Sequence, residues 1–171
     1  MSSKKKYIVT AVTLGIIAAG SAALIGVTNL VTKDHIAKNE KNKINAGIVE
    51  IFGENASVGD PSKTEDHKYV TEGYTVWIDG YASAFAYRTT GSNAYGKISL
   101  LVGFNHSCDF AGIYVISDEQ TYASTLEDKY ITSVNGGGDI NDVTCGATYG
   151  AKLVRDMIND AQSIVDAIIW D

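Results

Sequence analysis

One short stretch of this chain, Asp142-Val143-Thr144-Cys145-Gly146-Ala147-Thr148, combines residue types and spacing that suit a definite chemistry. The segment after it is helix-periodic, so Thr148 falls at or near a helix start, where unpaired N–H groups and the macrodipole attract an anion. Gly146 and Ala147 leave the backbone open on the N-terminal side of that hydroxyl. Asp142 lies six residues upstream, within reach of a metal or of the hydroxyl if the segment turns. A hydroxyl so placed can bind a phosphate or be esterified by one. A plainer alternative stands beside this: Thr is an ordinary helix N-cap, and Gly-Ala before a helix is an ordinary turn.

The elements that would position this stretch follow from hydrophobic periodicity. Residues 149–169 read as an amphipathic helix with Leu153, Met157, Ala161, Ile164 and Ile168 on one face. Lys152 and Arg155 lie in its first turns, where positive charge opposes the dipole but helps to hold a phosphate. Upstream, residues 117–139 read mostly as loop, with one helical turn near Leu126. Gly136-Gly137-Gly138 suits a hinge or tight turn, because no Lys-Ser or Lys-Thr follows to make a phosphate loop. Four strands precede: Tyr69–Asp79, Tyr81–Thr90 ending at Gly91-Ser92-Asn93, Gly96–Asn105, and Phe110–Ser117. The last two form a hairpin across Asn105-His106-Ser107-Cys108-Asp109. Residues 54–68 contain the single proline and many turn formers and read as a surface loop; His67 beside Glu65 and Asp66 is expected to be solvated there. Residues 33–53 read as a helix, with Gly53 as its stop.

The N-terminus is of another kind. Lys4, Lys5 and Lys6 precede a run from Tyr7 to Val31 with no charged residue. That run is long enough to cross a bilayer as a helix, and the lysines predict a cytoplasmic N-terminus with the remainder outside. A cleaved signal peptide, cut near Gly20 to Ala23, is the competing reading. Setting aside the three N-terminal lysines leaves 11 of the 14 basic residues against 20 acidic ones, about −9 in all. Such a surface disfavours nucleic acid. Cys108 and Cys145 belong to no C-x-x-C pair, so neither a zinc nor a haem site is indicated; they are read as two unpaired thiols, with one disulfide the alternative. No Ser sits in a G-x-S-x-G elbow, and His35, His67 and His106 fall in a linker helix or loops, which gives a hydrolase little support.

The string D-x-x-[ST]-G-A-T before a helix resembles the flavinylation site of the FMN-binding domain family. That family includes the RnfG component of Rnf electron-transport complexes and its counterpart in the sodium-pumping NADH:quinone reductase. Asp142, Gly146, Ala147 and Thr148 stand in the motif positions; Cys145 replaces the usual Ser or Thr, and Gly150 stands where a Ser or Thr usually follows. The resemblance extends upstream. Gly96 to Gly103, a turn, and Gly112 to Ile116 are similar to the family's hairpin, and Gln120-Thr121 stands where relatives have Glu-Thr beside the flavin ring. It implies FMN joined to Thr148 through a phosphoester by a flavin transferase, with Gly146 and Ala147 admitting the phosphate and Asp142 serving the attachment. Gln120, Thr121 and Lys152 complete the implied cofactor-binding set, with no resident metal and no catalytic residue.

The expected architecture is α+β: an N-terminal transmembrane helix followed by one extracytoplasmic domain with an antiparallel sheet and flanking helices. Its parts are a basic tail (1–6), a transmembrane helix (7–31), a linker helix and loop (32–68) and an FMN-binding domain (69–171). The expected function is that of a single-pass, membrane-anchored electron-transfer flavoprotein. It would be the electron carrier of an Rnf-like ion-translocating complex whose partners are other membrane subunits. The alternative is an anchored extracellular binding or assembly module without flavin.

Overall fold

The computed structural model describes residues 3–64 and 67–168; within the first helix, the side chains of residues 3–11, 28–31, 33–35 and 37 lie outside the description. The elements, in chain order, are α1 (Ser3–Phe52), β1 (Ala56–Val58), β2 (Ser62–Lys63), β3 (Val70–Ile78), β4 (Tyr81–Asn93), β5 (Gly96–Asn105) and β6 (Phe110–Asp118). Then come α2 (Ala123–Thr125), a π-helical turn over Leu126–Ile131, α3 (Thr132–Asn135) and α4 (Thr148–Val165). The chain divides into two units, residues 1–41 and 42–171.

In the first unit, the longest unbroken stretch of described side chains is residues 12–27, and all of these are exposed. Val12, Leu14, Ile16, Ile17, Leu24, Ile25 and Val27 are among them. This stretch is shorter than the roughly 20 residues that a bilayer crossing needs. Among the described residues, no helix is long and apolar enough to cross a membrane. The ends of the 7–31 run lie outside the described side chains.

The second unit is α+β. Its sheet is antiparallel throughout and ordered β1-β3-β4-β5-β6, with β2 also paired to β3. Strand alternation sends side chains to two separate cores. Phe85 and Tyr87 of β4, Ile98, Leu100, Val102 and Phe104 of β5, and Ile113 and Val115 of β6 face α4 and the helical segment before it. Ala84 and Ala86 of β4, Leu101 of β5, and Tyr114 and Ile116 of β6 face the C-terminal part of α1, whose Ile44 and Ile48 are buried. Strand β5 is therefore covered on both faces, and residues 98–104 are all buried. This is why its sequence reads as an apolar run instead of an alternation. Close approach is built into the layers: a Cβ on Gly103 would lie 2.8 Å from Ile51 Cγ2, and one on Gly91 would lie 2.9 Å from Leu153 Cδ1.

The four main strands and both long helices fall where the sequence placed them, with three departures. The 54–68 loop contributes two short edge strands, β1 and β2, both pairing with β3. The stretch 117–139, read as mostly loop with one helical turn near Leu126, is helical from Ala123 to Asn135 and buries Leu126, Tyr130, Ile131 and Val134. Its polar composition hides a stripe of four apolar residues, and it is fastened by Asn135, which accepts from Ile113 N–H at 2.8 Å and donates to Ile113 C=O at 2.9 Å. The last helix ends at Val165, and its buried stripe also takes in Val154, Ile158 and Val165, because it packs against both the sheet and this helical segment. Asp160 on α4 holds the start of β3, accepting from Tyr69 N–H at 2.6 Å and Val70 N–H at 3.2 Å. His67 Nδ1 lies 3.6 Å from the same carboxylate, while Glu65 and Asp66 lie outside the described residues. Neither cysteine is in a disulfide; Cys108 is half-buried and Cys145 buried.

Candidate functional site

The site is assembled around the first turn of α4. Gly146 has φ +87°, a left-handed conformation that a residue with a Cβ adopts only with strain. It turns the chain so that Ala147 becomes the residue that opens the helix. Ala147 is the N-cap, with φ −109° and ψ 44°, and no side chain caps the terminus. Thr148 is the first helical residue. Its hydroxyl is thus not spent on capping, and the N-cap alternative fails at this position. The first intrahelical bond there runs from Ala151 N–H to Ala147 C=O at 3.0 Å. Leaving a helix with Ala instead of Ser, Thr, Asp or Asn at this position costs about 1 kcal/mol. An anion at the terminus would recover part of that.

Thr148 is half-buried and lines a cavity of about 280 Å³ together with Tyr95, Gln120, Tyr122, Gly146, Ala147, Tyr149 and Gly150. No lining residue carries a formal charge, so the macrodipole is the main local source of positive potential. Gln120 is only 8% exposed, and its Nε2 is a buried donor with no hydrogen-bond partner among the described residues. An unsatisfied buried amide costs of the order of 1–3 kcal/mol, so this atom calls for an acceptor. Gln120 is positioned from both sides. Its N–H donates to Asp118 Oδ1 at 2.8 Å, and the missing side chain of Gly150 makes room for its amide. A Cβ on Gly150 would lie 2.6 Å from Gln120 Oε1 and 3.0 Å from Leu126 Cδ2. The two residues that depart from the flavin-family pattern at positions 120 and 150 are therefore neighbours that fit one another.

The remaining sequence candidates are distributed differently. Thr121 does not line the cavity; its N–H and Oγ1 both donate to Tyr95 C=O, at 2.9 and 3.2 Å, and fasten the β4–β5 turn to the site. Lys152 is exposed, its Nζ 6.0 Å above the Tyr149 ring. Asp142 is exposed and turned into its own loop, where Oδ1 accepts from Thr144 Oγ1 at 2.7 Å and Thr144 N at 3.2 Å. The Thr144 hydroxyl, then its N–H, hold this carboxyl below its ordinary value. Among the described residues no group of His, Cys, Asp and Glu could hold a metal ion. Cys145 is buried against the α4-side core as a small apolar side chain. The sequence pattern did not single out Asn93, Tyr95, Tyr122 or Tyr149, because turn residues and scattered tyrosines carry no periodic signal.

An uncapped helix start, the half-buried Thr148 hydroxyl, a buried amide donor without a partner among the described residues and an aromatic margin thus meet at one cavity of an α+β domain. Comparison with known families bears on the N-terminal part of the chain. Residues 1–51 match the family model for the RnfG N-terminal region. The match is to that N-terminal region alone and takes in 51 of the chain's 171 residues. It ends before β1 and does not reach the cavity. No curated protein matches the chain.

Proposed function

We propose that this protein is a membrane-anchored electron carrier that holds FMN through a phosphoester to the Thr148 hydroxyl. The observation that carries the reading is the conjunction at the start of α4. Thr148 occupies the first helical position with its hydroxyl unused for capping, in one cavity with Gln120, whose Nε2 has no partner among the described residues. Each end of FMN finds a fitting group. The phosphoryl group suits the N–H groups of the helix terminus and the open backbone at Gly146 and Ala147. The acceptor-rich flavin ring suits the donor at Gln120. Bound FMN supplies the electron chemistry, and the protein supplies placement and environment. Thr121 acts by holding the turn that bears Tyr95, and Lys152 adds positive potential at the mouth. Asp142, exposed and held ionised, is open to a flavin transferase during attachment.

The apolar run 7–31 is the proposed anchor. Its described residues are apolar on all sides of the helix and exposed, the pattern of a helix that meets lipid rather than a protein core. The lysines before it favour a cytoplasmic N-terminus, with the domain outside. Outside the cell a dissociable cofactor would be lost, which is a reason for a covalent link. The partners are then the other membrane subunits of an Rnf-like complex, with a flavin transferase for maturation; ion movement would belong to those subunits.

The test is flavin fluorescence in a denaturing gel, on protein made with an active flavin transferase, beside Thr148→Ala. A fluorescent band that disappears in the variant is expected. A band that persists in Thr148→Ala would remove Thr148 from the assignment, and a dark band in both would remove the flavin. Protease added to intact cells should remove the domain; protection would overturn the topology.

A further inference from the structure

The geometry points to Tyr95, Tyr122 and Tyr149 as the bed on which the planar ring of the cofactor lies, an inference that rests on the flavin reading above. The three rings come from separate parts of the chain: the β4–β5 turn, the segment before α2, and the first turn of α4. They meet at the cavity. The Tyr95 centroid lies 5.5 Å from that of Tyr149, with the planes 31° apart, and 6.0 Å from that of Tyr122, at 53°. All three line the same cavity as Thr148.

Their exposure is the first sign of a missing occupant. Tyr95, Tyr122 and Tyr149 are 38%, 53% and 65% exposed. Large aromatics gathered on one surface are the usual mark of a binding face. The second sign is that the cluster is held in place despite its exposure. Tyr95 N–H donates to Asn93 Oδ1 at 2.8 Å, and Tyr95 C=O accepts from Thr121 N and Oγ1. Asn93 Nδ2 donates to Tyr149 C=O at 3.2 Å, so one side chain ties two of the three tyrosine backbones together. Hydrogen-bonding groups spent on exposed rings make a preorganised surface, which lowers the entropy lost when a ligand settles on it. The third sign is the mixed lining of the cavity. It combines an uncapped helix start, suited to a phosphoryl group, with aromatic rings suited to a flat ring, and Lys152 Nζ lies 6.0 Å above the Tyr149 ring. Gln120, with its unpartnered donor, lines the same space. The chemistry selects a phosphorylated planar heteroaromatic with hydrogen-bond acceptors.

Phenol rings in van der Waals contact with a flavin quench its emission by donating an electron to its excited state, whereas phenylalanine does not. The experiment uses full-length protein loaded by the transferase, comparing wild type with Tyr95→Phe, Tyr149→Phe, and the triple variant that also carries Tyr122→Phe. Phenylalanine keeps ring volume and packing, so folding is preserved. Emission of the native protein is read against the same sample unfolded in guanidinium, with covalent flavin measured separately on a denaturing gel. The wild type should be several-fold dimmer native than unfolded, and the triple variant should recover most of that difference with an undiminished gel band. A triple variant as dark as wild type, or a wild type as bright native as unfolded, would overturn the tyrosine bed and leave the covalent flavin standing. A dark gel band in wild type would bring down the flavin reading, and the bed with it.

Discussion

The contact between Gly150 and Gln120 makes a quantitative prediction. Placing a Cβ at position 150 would put it 2.6 Å from Gln120 Oε1 and 3.0 Å from Leu126 Cδ2, both closer than side chains pack. Gly150→Ala therefore has two opposed effects. Alanine favours the helix over glycine by up to about 1 kcal/mol. Overpacking in a filled site costs about 1–3 kcal/mol. The clashing oxygen sits at the end of a flexible side chain, so relief would come from moving the Gln120 amide, and the cost should fall near the lower end. The net expectation is a loss of about 0–2 kcal/mol. The informative comparison is a cycle with Gln120→Ala. With the Gln120 amide gone, the tighter of the two contacts is gone, and Gly150→Ala should become neutral or stabilising by up to about 1 kcal/mol. The two substitutions should then couple by about 1 kcal/mol or more. Urea unfolding of the four proteins, with m-values checked for constancy, measures this. Additivity within about 0.5 kcal/mol would refute the argument that Gly150 is there to admit Gln120.

The helix start supports two further expectations. Thr148→Ala should change the stability of flavin-free protein by no more than about 0.5 kcal/mol, because no capping bond is lost, while Thr148→Ser should keep some covalent flavin where Ala keeps none. Ala147→Ser should stabilise flavin-free protein by at most about 1 kcal/mol in thermal or urea unfolding, because a new capping bond is set against a hydroxyl placed at a buried position of the α4-side core; a destabilised variant would show that burial wins. A pH test comes from Asp118, whose carboxyl is raised above 3.8 by burial, against a smaller opposing effect of the bond from Gln120 N–H, and whose Oδ2 has no partner among the described residues. A raised carboxyl means the folded state holds its proton more tightly. Its contribution is fully present below the unfolded value of about 3.8 and is lost as pH rises through the folded value. Glu127, also raised by burial first and by Asp118 and Asp128 next, acts in the same direction. Asp118→Asn should reduce that fall in stability with rising pH and raise stability at neutral pH; an unchanged pH profile would show that Asp118 is solvated when folded.

Much of the domain could be read from the sequence because its strands are joined by hairpins. Gly96–Asn105 and Phe110–Asp118 carry their own punctuation, and the turn between them follows from polar residues alone. The edge strands β1 and β2 could not be read this way. They are three and two residues long, and what makes them strands is pairing with β3 rather than their own propensity. The helical segment from Ala123 to Asn135 was hidden for a related reason. Its Ser, Thr, Asp and Asn residues favour caps and turns in isolation, and it is burial of Leu126, Tyr130 and Val134 against the sheet that selects the helix. At the site, the motif around Thr148 was legible because glycine and a hydroxyl at a helix start have local meaning. The fit of Gly150 to Gln120, and the gathering of three tyrosines from distant positions, belong to tertiary structure and leave no local trace.

The shape of the site also bears on why attachment should be covalent. The cavity, at about 280 Å³, is at the small end for ligand pockets. Its aromatic margin is more than a third exposed at every ring. A ring resting on such a surface stays partly in solvent, and the affinity won from burial and one buried amide falls short of what retention outside a cell would demand. An open ring is, however, what an electron carrier needs, since donor and acceptor must both approach it. On the proposed reading, joining the phosphoryl end to Thr148 would separate the two requirements. The bond at the helix start would retain the cofactor, and the tyrosines and Gln120 would be left to orient a ring open to an electron donor and acceptor. If that separation holds, substitutions in the tyrosine bed should alter the ring's environment without releasing it, whereas loss of the Thr148 hydroxyl should release the cofactor from a domain that is otherwise unchanged.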